Sequence, residues 1–113
     1  MKNAREVNYV KDINTDVNSA IKIGYVNVYP TVANAKFSVP VDMSVKDLYL
    51  EDDSGNKYKC GARERHGNDN SNFREEISDF ESPYFEKVKK LYLVIKSEEN
   101  NKEKDFKIAL KKK

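Results

Sequence analysis

The stretch LYLEDDSGNKYKC, Leu48 to Cys60, sets two alternating flanks around a polar tip. Leu48 and Leu50 lead in, DDSGN follows, and Tyr58 and Cys60 lead out. Two readings compete for the tip: an oxygen-rich calcium loop or the turn of a β-hairpin. A calcium loop of the helix–loop–helix type needs oxygen ligands at alternate positions, glycine at the sixth and a bidentate glutamate at the twelfth. With Gly55 sixth, the first position is Leu50 and the twelfth Gly61; with Asp52 first, the sixth is Lys57. Both frames fail. Asp53-Ser54-Gly55-Asn56 suits a type I turn with Gly55 or Asn56 at positive φ, and flanks of period two are what a hairpin requires.

The same period runs outward in both directions. In ANAKFSVPVDM, the residues Ala33, Ala35, Phe37, Val39, Val41 and Met43 share one phase, and Asn34, Lys36, Ser38, Pro40 and Asp42 the other. Successive strand side chains point to opposite faces, so this is a strand with one buried and one wet side. Pro40 has no N–H and belongs at an edge or a bulge. Upstream, Ile21, Ile23 and Tyr25 hold one phase and Val26 and Val28 the other, with Gly24 at the change. A β-bulge at Gly24 keeps both sets inward. Downstream, Leu91, Leu93 and Ile95 alternate with Tyr92 and Val94, which suits a central strand covered on both sides. Phe106, Ile108 and Leu110 alternate with polar or small residues, Phe73 and Ile77 bracket a weaker strand, and Val7 and Tyr9 add a first one.

Seven or eight short strands separated by turn signals predict an antiparallel β-sandwich, a single domain over 1–113. SPYFEKVKK predicts one or two helical turns, with Ser82 as N-cap and Pro83 at the first position. GARERHGNDNSN and SEENNKEK read as long loops, and residues 111–113 as a disordered basic tail.

Composition narrows the function classes. The chain has 113 residues, 35% of them charged, with a net charge of +2. That balance argues against a dedicated nucleic-acid binder. One cysteine excludes an intrachain disulfide and a cysteine-rich zinc site. No apolar run reaches the length of a membrane helix, and MKNAREVNYV has no signal-peptide core. The reading is therefore a cytoplasmic protein or a soluble part of a larger one.

The order IKIGYVNVYPTVANAKFSVPV, LYLEDDSGNKY, FEKVKKLYLVIK resembles the immunoglobulin-like extracellular domain of anti-sigma-factor-like membrane proteins of Gram-positive bacteria, over roughly residues 20–96. The likeness lies in a strand with a Pro-Thr turn, an L-x-D-D-x-G-x-x-Y hairpin and a late strand with Leu91 and Leu93. It implies an immunoglobulin-like sandwich outside the membrane, within a membrane-anchored parent and without enzymatic activity.

No residue is assigned a catalytic, cofactor-binding or metal-binding role. Cys60 and His66 are not a recognisable thiol–base arrangement, and Cys60 shares the inward phase of Tyr58 as a structural thiol. One histidine makes a multi-histidine metal centre impossible. The pairs Asp52/Asp53, Glu75/Glu76 and Glu98/Glu99 are adjacent, so each points to opposite faces of its strand instead of converging across a cleft. Tyr29, Tyr49, Tyr84 and Tyr92 are candidate stacking residues for sugars or bases. The expected function is a monomeric, non-enzymatic interaction or spacer module at the bacterial cell surface. Its partner would be a protein or cell-wall component, with GARERHGNDNSN as the recognising end. The alternative is a small carbohydrate- or ligand-binding sandwich.

Overall fold

The computed structural model describes residues 7–11, 21–66, 72–86 and 88–112. Eight strands follow one another: β1 (Val7–Lys11), β2 (Lys22–Val28), β3 (Ala33–Pro40), β4 (Ser44–Asp52), β5 (Lys57–His66), β6 (Phe73–Phe80), β7 (Leu91–Glu99) and β8 (Lys102–Lys112). Each is antiparallel to its neighbours, and the order β1-β2-β3-β6-β5-β4-β7-β8 closes on itself as a barrel. The expected immunoglobulin-like sandwich is thereby corrected. A sandwich and a barrel share the same alternation along each strand, because both bury one face. Closure rests on pairings between distant segments that alternation does not report: Tyr9, Val10 and Lys11 against Lys112, Lys111 and Leu110, β3 against β6, and β4 against β7.

The interior is filled by the inward phase of each strand: Val26 and Val28, Ala33 to Val39, Leu48 and Leu50, Leu91, Leu93 and Ile95, and Phe106, Ile108 and Leu110. An eight-stranded barrel is just wide enough for such side chains to fill it. Charged residues such as Lys36, Lys57, Lys59, Asp105 and Lys107 lie on the outer face. A transmembrane barrel has the opposite arrangement, apolar outside and polar within. Among the described residues, no helix is long and apolar enough to cross a membrane.

Gly24 behaves as its place at the phase change predicts. The register of β2 on β3 shifts between Ile23 and Tyr25, and Val26 and Val28 are buried beyond it. A Cβ on Gly24 would stand 3.1 Å from the Lys36 carbonyl oxygen, so glycine permits the close approach of the bulged backbone. Pro40 ends β3, past the last pairing with β2 at Ser38↔Lys22. Val41 departs from its expected inward phase: it lies in the turn after Pro40 and is 52% exposed.

Four other segments differ from expectation. Residues 82–86 and 88–90 are a turn at Tyr84 and Phe85 with bends and irregular chain around it, not a helix. The Ser82 hydroxyl does accept the Tyr84 N–H, but it also donates to the Tyr29 carbonyl, which ties the segment to the β2–β3 turn. SEENNKEK is mostly strand, closed by Asn100 and Asn101 at φ 53° and 65°. Two consecutive positive φ values define a type I′ hairpin, whose twist matches its flanking strands. Gly61–His66 of the polar stretch continues β5, while 67–71 lie outside the described residues. The basic tail is paired rather than frayed through Lys112, opposite Tyr9; Lys113 lies outside the described residues.

The DDSGN tip is a hairpin turn. Gly55 N–H donates to the Asp52 carbonyl at 3.1 Å, Asp52 N–H donates to the Asn56 carbonyl at 3.0 Å, and Gly55 has φ 88°. This is a type I turn completed by a glycine bulge. Asp52 points inward and organises it. Its carboxylate accepts the Ser54 and Asn56 N–H groups at 2.9 and 3.0 Å and the Tyr58 hydroxyl at 2.7 Å. Asp53 points outward and accepts the Lys89 and Lys90 N–H groups at 3.1 and 3.2 Å, bolting the turn to the segment that leads into β7.

Burial works against the Asp52 charge, but the hydrogen bonds from Tyr58, Asn56 and Ser54 outweigh it and hold the carboxyl below its usual range. Backbone donation from Lys90 and Lys89 does the same for Asp53. Burial and the neighbouring Asp52 push the Tyr58 hydroxyl well up. A lowered carboxyl pKa stabilises the fold above the unfolded value, near pH 4, and that stability is lost as pH falls below it. A raised tyrosine pKa stabilises the fold below pH of about 10 and loses its effect above. The melting temperature should therefore fall below about pH 4 and above about pH 10. Asp52→Ala should cost about 1–3 kcal/mol by orphaning the Tyr58 hydroxyl, and should shrink both pH-dependent steps; thermal melts across the pH range check this.

Candidate functional site

The seam between β4 and β5 is short. After Tyr49↔Lys59 the two strands part. Residues 44–48 of β4 stay paired to β7, from Ser44↔Glu98 to Leu48↔Ile95, with a register shift between Val45 and Asp47. Residues 60–66 of β5 stay paired to β6, from Cys60↔Phe80 to His66↔Glu75, with a shift between Cys60 and Arg63. Each strand carries its bulge where the seam ends, and a bulge bends the strand that bears it. The result is a cleft of about 520 Å³ bounded by two strand edges.

Its floor is Leu48, Tyr49, Cys60 and Gly61, and its rim carries Lys46, Lys57, Lys59, Arg63 and Lys96 against a single carboxylate, Asp47. A chain of nearly balanced charge thus concentrates cations at one place. Two of them have long, exposed partners: Lys46 lies 4.0 Å from Glu98, and Lys96 lies 3.8 Å from Asp105. Such surface pairs hold little energy and yield readily to a competing anion. Lys57 lies 5.0 Å from the centre of the Tyr49 ring.

The edge itself is visible in one hydrogen bond. Leu48 N–H, which would face the next inward position of β5 if the seam continued, instead donates to its neighbour's Asp47 carboxylate at 2.8 Å. A buried or half-buried backbone donor must find a partner, and here a side chain stands where a strand carbonyl would be.

Behind the cleft lies a buried ion cluster. Glu76 is fully buried and accepts from Arg63 at 2.8 Å and from Arg74 at 2.8 and 3.1 Å. Arg74 also donates to the Val41 and Met43 carbonyls, both at 3.0 Å, and so pins the β3–β4 turn. Arg63 is shared between this cluster and the cleft lining. Among the described residues, the buried Arg63 Nε and Ser78 Oγ lack hydrogen-bond partners, and these two residues face each other across β5 and β6.

The residues singled out in the sequence do not converge. Cys60 is half-buried at the floor of the cleft, and burial pushes its thiol up while Arg63 pulls the other way. An activated nucleophile needs a lowered pKa. The side chain of His66 lies outside the described residues. Glu75 and Glu76 do point to opposite faces, Glu75 outward to Lys36 at 3.5 Å. Tyr49 is 9% exposed, Tyr92 lies under Lys107, and Tyr29 and Tyr84 sit at the far end beside Ser82, so the four form no shared platform. Among the described residues, no group of three or more His, Cys, Asp or Glu side chains could hold a metal ion. Sequence reading missed the cluster and the cleft. Their signal was the run Arg63-Glu64-Arg65 with Arg74-Glu75-Glu76, opposite charges at matching strand phase. No family model, curated protein or solved structure matches the chain.

Proposed function

We propose that the protein is a non-enzymatic binding module and that the β4–β5 cleft is its recognition surface, for an acidic ligand. The observation that carries this reading is the lining: five cations to one carboxylate over an apolar floor, with Glu98, Asp105 and Glu76, the partners of Lys46, Lys96 and Arg63, outside it. Low-dielectric walls lined by one sign of charge focus the field and attract the opposite sign. A partner would add contacts without disturbing the core, because the lining residues lie on parted strand edges. The Cys60 thiol, raised by burial, supports a structural role over a chemical one. A carbohydrate site would need an open ring face, whereas Tyr49 is buried beneath Lys57.

Poly-glutamate binding measured by fluorescence anisotropy tests the reading. Binding should weaken with salt, as exposed charge pairs do. The double charge reversal Lys57→Glu, Lys59→Glu should reduce affinity by about 100-fold, two lost charge contacts at roughly tenfold each. Equal binding by the parent and the variant would overturn it.

A further inference from the structure

Resting on the cleft as a binding surface, we propose that its occupant is an extended acidic segment of a partner protein, added as a strand along Ser44–Leu48 of β4. Three observations point to a strand. Among the described residues, the edge of β4 toward β5 has no ladder partner above Tyr49, while its other side is paired to β7 except at the Lys46 bulge. The Leu48 N–H is held by the adjacent Asp47 carboxylate, a bond that an incoming backbone carbonyl replaces like for like. The cleft lies between two strands of the same sheet, so an added strand continues the existing ladder.

Main-chain hydrogen bonds supply affinity in strand addition, and alternate side chains supply specificity. Ser44–Leu48 accommodates about five residues, roughly 16 Å of strand. One face of the added strand meets Leu48 and Cys60 on the floor, and the other meets Lys46, Lys59 and Lys96 on the rim. The favoured segment therefore alternates acidic and apolar residues. Once bound, it frees Asp47 to turn from its own backbone toward the surrounding lysines.

The probe is the peptide fluorescein-Gly-Glu-Val-Glu-Val-Glu-Gly-amide, labelled at its N-terminus. Its comparators are a scrambled peptide of equal composition and two analogues N-methylated on alternate sets of amides. One methylated set removes the donors facing β4, and that analogue should bind about tenfold more weakly, while the other keeps the parent affinity. Asp47→Ala, which releases the Leu48 N–H, should tighten binding about threefold. The amide resonance of Leu48 should shift on titration. Equal affinity for all four peptides, with an unmoved Leu48 amide, would overturn strand addition while leaving an acidic-ligand cleft intact. Failure of every acidic peptide, poly-glutamate included, would overturn both. Concentration-dependent dimerisation blocked by the peptide would identify a second copy of the chain as the occupant and overturn a separate partner.

Discussion

Replacing Glu76 with alanine should lower the free energy of unfolding by about 3–5 kcal/mol, the cost of removing one member of a buried ionic cluster. Among the described residues, Glu76 is the acidic side chain between Arg63 and Arg74, and it is fully buried. Without it, two guanidinium groups face each other with no carboxylate between them. Arg74 would also lose its anchor, and with it the grip on the Val41 and Met43 carbonyls. Arg63→Met should cost much less, because Glu76 and Arg74 remain a matched pair and Arg63 is already one-quarter exposed. Guanidinium unfolding of both variants separates the cases. A Glu76→Ala cost below about 1 kcal/mol would show that the cluster is not held in the folded state.

Phe37→Ala should cost about 3–5 kcal/mol, the range for removing a large core aromatic. Phe37 is 1% exposed at the middle of β3, opposite Ile23 on one side and Glu76 on the other. It fills the barrel axis beside the ion cluster. Its removal leaves a cavity that strands joined on both sides cannot easily collapse into. A cost below about 1 kcal/mol would mean that its side chain faces solvent.

These residues also mark what was legible in the sequence. The phase of Phe37 was plain, because Ala33, Ala35 and Val39 on its face are apolar and alternate with Asn34, Lys36 and Ser38. The Gly24 bulge and the DDSGN turn were legible for local reasons: a phase change at a glycine, and turn residues between alternating flanks. Barrel closure was not legible. It depends on Tyr9 meeting Lys112, on β3 meeting β6 and on β4 meeting β7, pairings between distant segments that leave no mark on local periodicity. Nor was the outer part of β5. Arg63 turns inward, but a polar residue on the buried face makes a strand look like a loop until its buried partner is known. The Asn100-Asn101 turn was hidden in the same way, since a run of polar residues conceals a tight hairpin.

The cleft exists because the β4–β5 seam closes the barrel and then stops. Cross-strand nuclear Overhauser contacts read that directly. In an antiparallel pair, facing residues that exchange no hydrogen bonds bring their α-protons close. Tyr49 and Lys59 are such a pair, because Lys59 turns its N–H and carbonyl to Glu81 at 3.0 and 2.9 Å. A strong contact between the α-protons of Tyr49 and Lys59 is expected, with none between 44–47 and 62–66. Contacts continuing along those residues would mean a zipped wall with no cleft, and loss of the Tyr49–Lys59 contact would mean an open sandwich in place of the barrel.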